Sequence, residues 1–433
     1  MSKLAILFVL IIVTVTSLYW FPENLGYLAY KSDGVKSMFD FDVIDRGNGS
    51  GIDFLSLLRG VSETDNSTVN DDWDDIELKS ADLTTTSLPV SKTTSIEYST
   101  DGRPLILEWN LFCRRSLFKD KTHLEKHCPF KCAYTTNRTL VDDAAVTVHH
   151  MGGGDADGQR RSTNRSFVSL FLNFEPPPHR PKYQKTRPYF FDYTITYRQD
   201  SDLPVYYDSF VPLSGPNDID RWTDAEVDAA LKSKQKPALW MVSHCSTASK
   251  RETYVAQLKK HMAVHQIGAC NNVNCPRFKD CEKEFIKTHY FYIAFENSVC
   301  NDYITEKFFR MRELIVPIVL DRRVFRGIHE KLLNYTIVAS DYESPQQLAE
   351  YLKFLMDHPD EYRKYFDWTK IYKKSPQPFV NNDTACKICQ LANQVQTGTF
   401  EKKKLNIHEW WGGKNCYGPV GSDLVKRGKS VKD

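Results

Sequence analysis

The sequence predicts an α/β protein of two Rossmann-like domains facing a cleft, carried behind an N-terminal membrane anchor and a stem. Three observations predict it. Short apolar strands recur between loop and helix signals from Leu105 to about residue 375, the pattern of parallel strands joined by crossover helices. An uncharged apolar run occupies residues 4–21. Between the two lies a long polar stretch without apolar periodicity. At 433 residues the chain exceeds one compact core. Its formal charge of +2 excludes the broad basic face of a general nucleic-acid binder.

Residues 4–21 follow Lys3 and precede Glu23, and they approach the roughly 20 residues that span a bilayer as a helix. The positive charge on the short side keeps residues 1–3 cytoplasmic and places the rest in the lumen. Val15, Thr16 and Ser17 would suit a cleaved signal peptide, yet the run exceeds its usual core of roughly 7–15 residues, so an uncleaved anchor is preferred. Asn48, Asn66, Asn137, Asn164, Asn334 and Asn382 each begin an N-x-S/T sequon, as expected of a luminal chain. Residues 22–102 read as a flexible stem: residues 63–77 carry seven acids and no Lys or Arg, and Thr/Ser clusters follow.

A first α/β domain, residues 103–225, begins with strands at residues 105–109, 146–149, 167–172 and 193–197. A second, residues 226–375, begins with a buried strand at residues 238–242. Ser249 and Glu252 form an S-x-x-E capping box for the next helix, whose Tyr254, Leu258 and Met262 share one face. Strands follow at residues 265–267, 290–295, 316–320 and 336–339, and Ser344, Pro345 and Gln347 start another helix. Residues 376–433, with Cys386 and Cys389, form a C-terminal tail.

Two strand ends carry the chemistry. After Phe295 come Glu296, Asn297, Ser298, Asp302, Tyr303, Glu306 and Lys307, far more polar groups than a turn requires. The strand ending at Val242 leads through Ser243 and His244 to Arg251. Both strands run into helix starts, where free N–H groups attract anions, and each start adds a cation. A diphosphate suits such a site. Neither link has the spacing of a P-loop or a dinucleotide fingerprint. A helix from Tyr303 to about Leu314 would set Tyr303, Glu306 and Lys307 on one face and Ile304, Phe308, Met311 and Ile315 on the opposite, core face.

The segment FYIAFENSVCNDYITEKFF, residues 291–309, resembles the signature of the α1,3-fucosyltransferases. VSHCSTASKRETYVAQL (242–258), TYRQDSDLPVYY (196–207) and SPQQLAEYLKFLMDHPDEYRKYFDW (344–368) extend the resemblance over residues 105–390. The family implies a GT-B fold and type II anchoring in the Golgi membrane. It also implies inverting transfer of L-fucose from GDP-fucose to GlcNAc on protein-linked N-glycans. By the resemblance, Arg251 and Lys307 bind the diphosphate, and Asn297, Tyr303 and Glu306 hold ribose and fucose hydroxyls. Ser243, His244, Tyr292 and Ser298 line the same donor site, although the family often has Asn where His244 stands. Glu175, in NFEPPPH (173–179), is implied as the general base. The Cys in SHC and in SVC leans the acceptor toward the N-glycan core GlcNAc, as in invertebrate core-type members. The alternatives are LacNAc or LacdiNAc antennae of Lewis type, or a catalytically silent luminal relative that binds glycan or nucleotide. Asp321 stands where the family strand ends in a small residue.

Asp200 and Asp202 have the D-x-D form that holds Mn²⁺ elsewhere, but they lie far from the donor motifs and read as structural. No metal site and no obligatory cofactor are expected; Mn²⁺ would at most stimulate. No nucleic-acid partner is expected. The eleven cysteines suit an oxidising lumen. The resemblance implies that Cys386 and Cys389 bridge to Cys132 and to Cys113 or Cys128, so that the tail of residues 376–433 packs back on the first domain. Cys270, Cys275 and Cys281 cluster without an assignable pairing. Because Cys245 and Cys300 each follow a donor strand, they are expected to bridge each other.

Overall fold

The computed structural model describes residues 101–430 except 113–115, 119–123, 125, 152–165, 180, 274–280, 326 and 377–381. The expected anchor, nearly all of the stem, and Asn48, Asn66, Asn164, Cys113 and Cys275 lie outside the described residues. Among the described residues, no helix is long and apolar enough to cross a membrane.

The first half is a six-stranded, all-parallel sheet. Its strands are β1 (Leu105–Glu108), β2 (Ala133–Thr135), β3 (Ala144–His150), β4 (Val168–Asn173), β5 (Tyr193–Thr196) and β6 (Leu203–Pro204), in the order β2-β1-β3-β4-β5-β6. Every residue of β4 is buried, Ser169 and Asn173 included, as expected of a parallel strand covered on both faces.

The second half is a five-stranded parallel sheet, ordered β12-β11-β9-β7-β8. It is built from β7 (Lys236–Met241), β8 (Val264–Ile267), β9 (His289–Ile293), β11 (Val316–Val319) and β12 (Ile337–Val338). Its helices include α1 (Asp224–Lys232), α2 (Arg251–Leu258), α3 (Cys281–Thr288), α4 (Glu306–Phe309), α5 (Pro345–Asp357) and α6 (Pro359–Lys364). The start of α5 follows the expectation: Ser344 Oγ accepts from Gln347 N, with Pro345 in the first turn. Ser344→Ala should lower stability by about 1 kcal/mol, readable as a shifted midpoint in chemical unfolding.

Buried Arg312 joins the segment after β6 to the second half. Its guanidinium lies 3.1 and 3.2 Å from the two carboxylate oxygens of Asp208 and donates to Lys373 O at 3.0 Å. Beyond residue 381, helix α7 (Asn382–Thr397) packs on β1 and β3. Disulfides Cys128–Cys386 and Cys132–Cys389 fix it there, the two-bridge pattern that the resemblance implied. The tail then runs through α8 (Ile407–Trp410) and β13 (Cys416–Tyr417) to α9 (Val420–Ser430), which packs on α2 and α5 of the second half. The tail therefore serves both halves.

One expected bridge is overturned. Cys245 pairs with Cys270, and Cys300 with Cys416. β7 has β8 on one side and β9 on the other, so the loop after β7 had two neighbours to bond, and it bonds the one following β8. Cys300 lies in β10 (Val299–Cys300), which pairs antiparallel with β13. Cys281 is disulfide-bonded as well. The sequon residues Asn137 and Asn334 are exposed.

Candidate active site

The site grows from the cleft-facing ends of β4, β7 and β9. Beyond β9, Ala294 and Phe295 are buried, and Glu296 follows at 5% exposure. A carboxylate so placed must be satisfied by partners. Glu296 Oε1 accepts from Thr305 N at 2.9 Å and from Thr305 Oγ1 at 2.7 Å, and Oε2 lies 3.1 Å from Lys307 Nζ. Lys307 Nζ also donates to Thr305 Oγ1 at 2.9 Å and to Glu306 Oε1 at 3.1 Å. Burial alone would lower the pKa of Lys307, but Glu296 and Glu306 outweigh it and hold the ammonium well above its ordinary value. Burial pushes the Glu296 carboxyl up, against the pull of Lys307.

Arg251 opens α2 and is 3% exposed. It donates to Phe295 O at 2.6 Å and to His244 O at 3.1 Å, so it ties together the ends of β9 and β7. Ser249 reinforces the tie: its Oγ donates to Glu296 O at 2.8 Å and its N to Asn297 O at 2.9 Å. The expected S-x-x-E capping box is thereby overturned. Lys250, in the left-handed region at φ 54°, takes the cap position, and Glu252 accepts instead from Thr247. Ser249 is engaged by the neighbouring loop.

The first half contributes Glu175, just beyond β4. Its N donates to Asn173 Oδ1 at 3.1 Å, and Pro176, Pro177 and Pro178 stiffen the loop beyond it. Glu175 Oε2 accepts from Asn297 Nδ2 at 3.4 Å and from Tyr303 OH at 3.3 Å, across 122 and 128 residues of sequence. His179 Nε2 lies 3.8 Å from the same oxygen. The Glu175 side chain keeps 38% exposure, so the carboxylate is aimed yet reachable. Tyr303 is buried, with Tyr197 at 4.9 Å between ring centres. Burial, and then the charge of Glu175, keep its hydroxyl protonated and donating.

The structure thus gathers Asn297 and Tyr303 around the Glu175 carboxylate, while Lys307 pairs with Glu296 and Glu306 and Arg251 holds the ends of β9 and β7. Ser243 and His244 are exposed on the loop after β7, and the His244 ring lies 5.0 Å from that of His179 across the cleft. Tyr292 is buried within β9 beneath the Arg310 guanidinium, 5.3 Å from its ring centre, and Ser298 is buried as well. Neither presents an open surface.

The expected helix from Tyr303 is corrected. Thr305 is the cap, α4 begins at Glu306, and a 3₁₀ turn, Arg310–Glu313, succeeds it. Tyr303 therefore reaches Glu175 from the turn before the helix, where its N donates to Cys300 O at 3.2 Å, rather than from a helix face. Ile304, Phe308, Met311 and Ile315 are all buried, as expected. Thr305 does not stand out in the sequence, Ser249 reads there only as a cap, and Glu296 counts in the polar run without a role of its own. The available signal was a Glu placed directly after an all-apolar strand.

Asp321 is absorbed locally. Its carboxylate accepts from Arg323 N at 2.9 Å and pairs with the Arg323 guanidinium at 2.7 Å. Asp200 grips Arg198 through both oxygens, at 2.8 and 2.6 Å. Asp202 accepts from Thr194 N and Oγ1, both at 2.8 Å, and from Lys403. The two D-x-D carboxylates hold loops of their own domain.

Residues 101–208 match the family described as fucosyltransferase, N-terminal, and residues 231–411 match glycosyltransferase family 10 (fucosyltransferase) C-term. The chain is 30% identical over 318 residues to the Caenorhabditis elegans alpha-(1,3)-fucosyltransferase fut-1, covering 71% of this chain and 68% of that one. It belongs to the α1,3-fucosyltransferase family. It is also 30% identical over 320 residues to the Drosophila melanogaster glycoprotein 3-alpha-L-fucosyltransferase A, covering 70% of this chain and 58% of that one. A human relative, alpha-(1,3)-fucosyltransferase 4, is 32% identical over 246 residues, with 56% and 44% covered. The protein is accordingly a glycosyltransferase. In this fucosyltransferase, Glu175 lies in the N-terminal match and Arg251 and Lys307 in the C-terminal one, so the two matched segments meet at the site.

Proposed function

We propose that the chain transfers L-fucose from GDP-β-L-fucose, with inversion, in α1,3 linkage to a GlcNAc of protein-linked N-glycans, the core GlcNAc being the favoured acceptor. One observation carries the mechanism: the Glu175 carboxylate of the first half is held by Asn297 and Tyr303 of the second, from the same segment whose Glu296 pairs with Lys307.

A single displacement needs a base on the attacking hydroxyl and charge stabilisation on the departing diphosphate. Glu175, exposed on its outer side, takes the acceptor proton. Lys307, still partly open at 20% side-chain exposure, meets the diphosphate. Buried Arg251 adds positive charge from behind and fixes the two donor loops. Glu306, with 58% of its side chain exposed, turns toward donor hydroxyls. Ser243, His244 and Asn297 complete the donor contacts. No metal is needed for this charge balance, so transfer should persist at about its full rate in excess EDTA; complete loss would refute a metal-free site. The chain acts in the Golgi lumen as a type II membrane protein, tested by immunolocalisation and protease protection of the full chain. An acceptor panel separates core GlcNAc from LacNAc and LacdiNAc antennae.

A further inference from the structure

The family match ends at residue 411, and the chain continues into a segment that grips both donor loops. Cys416 is disulfide-bonded to Cys300, which is 1% exposed and lies between Ser298 and Tyr303. Around this bond β13 pairs with β10, Asn301 N donates to Asn415 O at 2.8 Å, and Tyr417 OH donates to Asn301 Oδ1 at 3.1 Å. The Arg323 guanidinium covers the Tyr417 ring at 3.9 Å. Five residues after Cys416, Gly421 N donates to Ser249 O at 2.8 Å. Ser249 is the residue that holds Glu296 O and Asn297 O.

The same segment is rooted in the first half. Trp411, fully buried, lies 5.4 Å from Tyr197, whose ring lies 4.9 Å from that of Tyr303. Upstream, two disulfides fix α7 to the first half. The tail is thus covalently attached on one half at Cys386 and Cys389, and on the other at Cys416.

We infer that residues 412–430 are a strap that presets the donor loops, with Cys416 and Gly421 as positioning residues. It acts on Glu296, Asn297 and Tyr303 through Ser249 and Cys300, and touches no reacting atom. This rests on the reading of those loops as the GDP-fucose site. Preset loops spare the donor the cost of ordering them, so the strap acts on donor affinity rather than on the chemical step. Gly421 is required by contact: a Cβ there would lie 2.2 Å from Lys250 O. Gly421→Ala therefore wedges α9 away from the Lys250–Arg251 turn, although Ala is the better helix residue.

Two variants of the full chain test the strap, Cys416→Ser and Gly421→Ala. Each should raise KM for GDP-fucose and weaken GDP binding, measured calorimetrically, by roughly tenfold. At saturating donor, kcat and the acceptor KM should stay within about twofold, a split that a general loss of stability does not produce. Donor KM and GDP affinity within about twofold of wild type in Gly421→Ala would overturn the strap, as would a loss confined to kcat. Should Cys416→Ser fail to fold, Gly421→Ala alone decides, since it keeps all of the disulfides. A wild-type chain that neither binds GDP nor transfers fucose would overturn the donor-site reading itself, and is read before either variant.

Discussion

Glu175→Gln is expected to lower kcat for fucosyl transfer by about 10²–10⁴, with GDP affinity nearly unchanged. Gln keeps the size of the side chain, and its amide oxygen can still accept from Asn297 Nδ2 or Tyr303 OH. It cannot, however, take a proton from the acceptor hydroxyl. Because Glu175 stands on the first half and the donor cations on the second, the change should separate chemistry from donor binding. Steady-state rates with labelled GDP-fucose, alongside calorimetry with GDP, make the comparison. Full transfer by the variant would remove Glu175 as the base.

Lys307→Met should lower kcat by about 10²–10³ through loss of charge on the departing diphosphate, and it should also change stability in a pH-dependent way. Removing Lys307 leaves Glu296 buried with only the Thr305 donors. Its carboxyl is already raised by burial, and without the cation it rises further. A carboxyl with a raised folded pKa binds its proton more readily folded than unfolded. The variant's stability is therefore fully present at low pH and falls as pH rises through and above the ordinary value of 4.5. Unfolding of variant and wild type followed from pH 4 to 8 should show a gap that widens upward. Lys307→Arg, which keeps the charge, should close much of that gap. A gap independent of pH would contradict the pairing.

Much of this was legible in the sequence because strand order along the chain follows the apolar runs. The expected strands at residues 105–109, 167–172, 238–242 and 316–320 correspond to β1, β4, β7 and β11, within two residues at each end. β2 and β6 escaped notice because three and two residues carry no readable period. Arg251 and Lys307 were visible as cations at helix starts, but their present partners were not. Arg251 holds Phe295 O and His244 O because β7 and β9 are neighbours, a fact of sheet order rather than of local sequence. The same ambiguity produced the mistaken Cys245–Cys300 bridge. Two strand ends can each carry a cysteine, yet their side chains answer to different neighbours: the turn after β8 with its Cys270 for one, the returning tail with its Cys416 for the other. Tyr303 shows the remaining difficulty. Its distance from Glu306 and Lys307 suggests one helical face, but Thr305, held by buried Glu296, delays the helix and frees Tyr303 to reach the opposite domain.

The most direct test is transfer by the full chain itself, incubated in excess EDTA with labelled GDP-fucose and a panel of N-glycan acceptors. The panel holds glycans with an unmodified core GlcNAc and glycans bearing LacNAc or LacdiNAc antennae. Label is expected on GlcNAc in α1,3 linkage, assigned by NMR of the product, with the core acceptor preferred. Binding of GDP without transfer to any acceptor, with or without added divalent metal, would contradict it and leave a silent glycan- or nucleotide-binding relative.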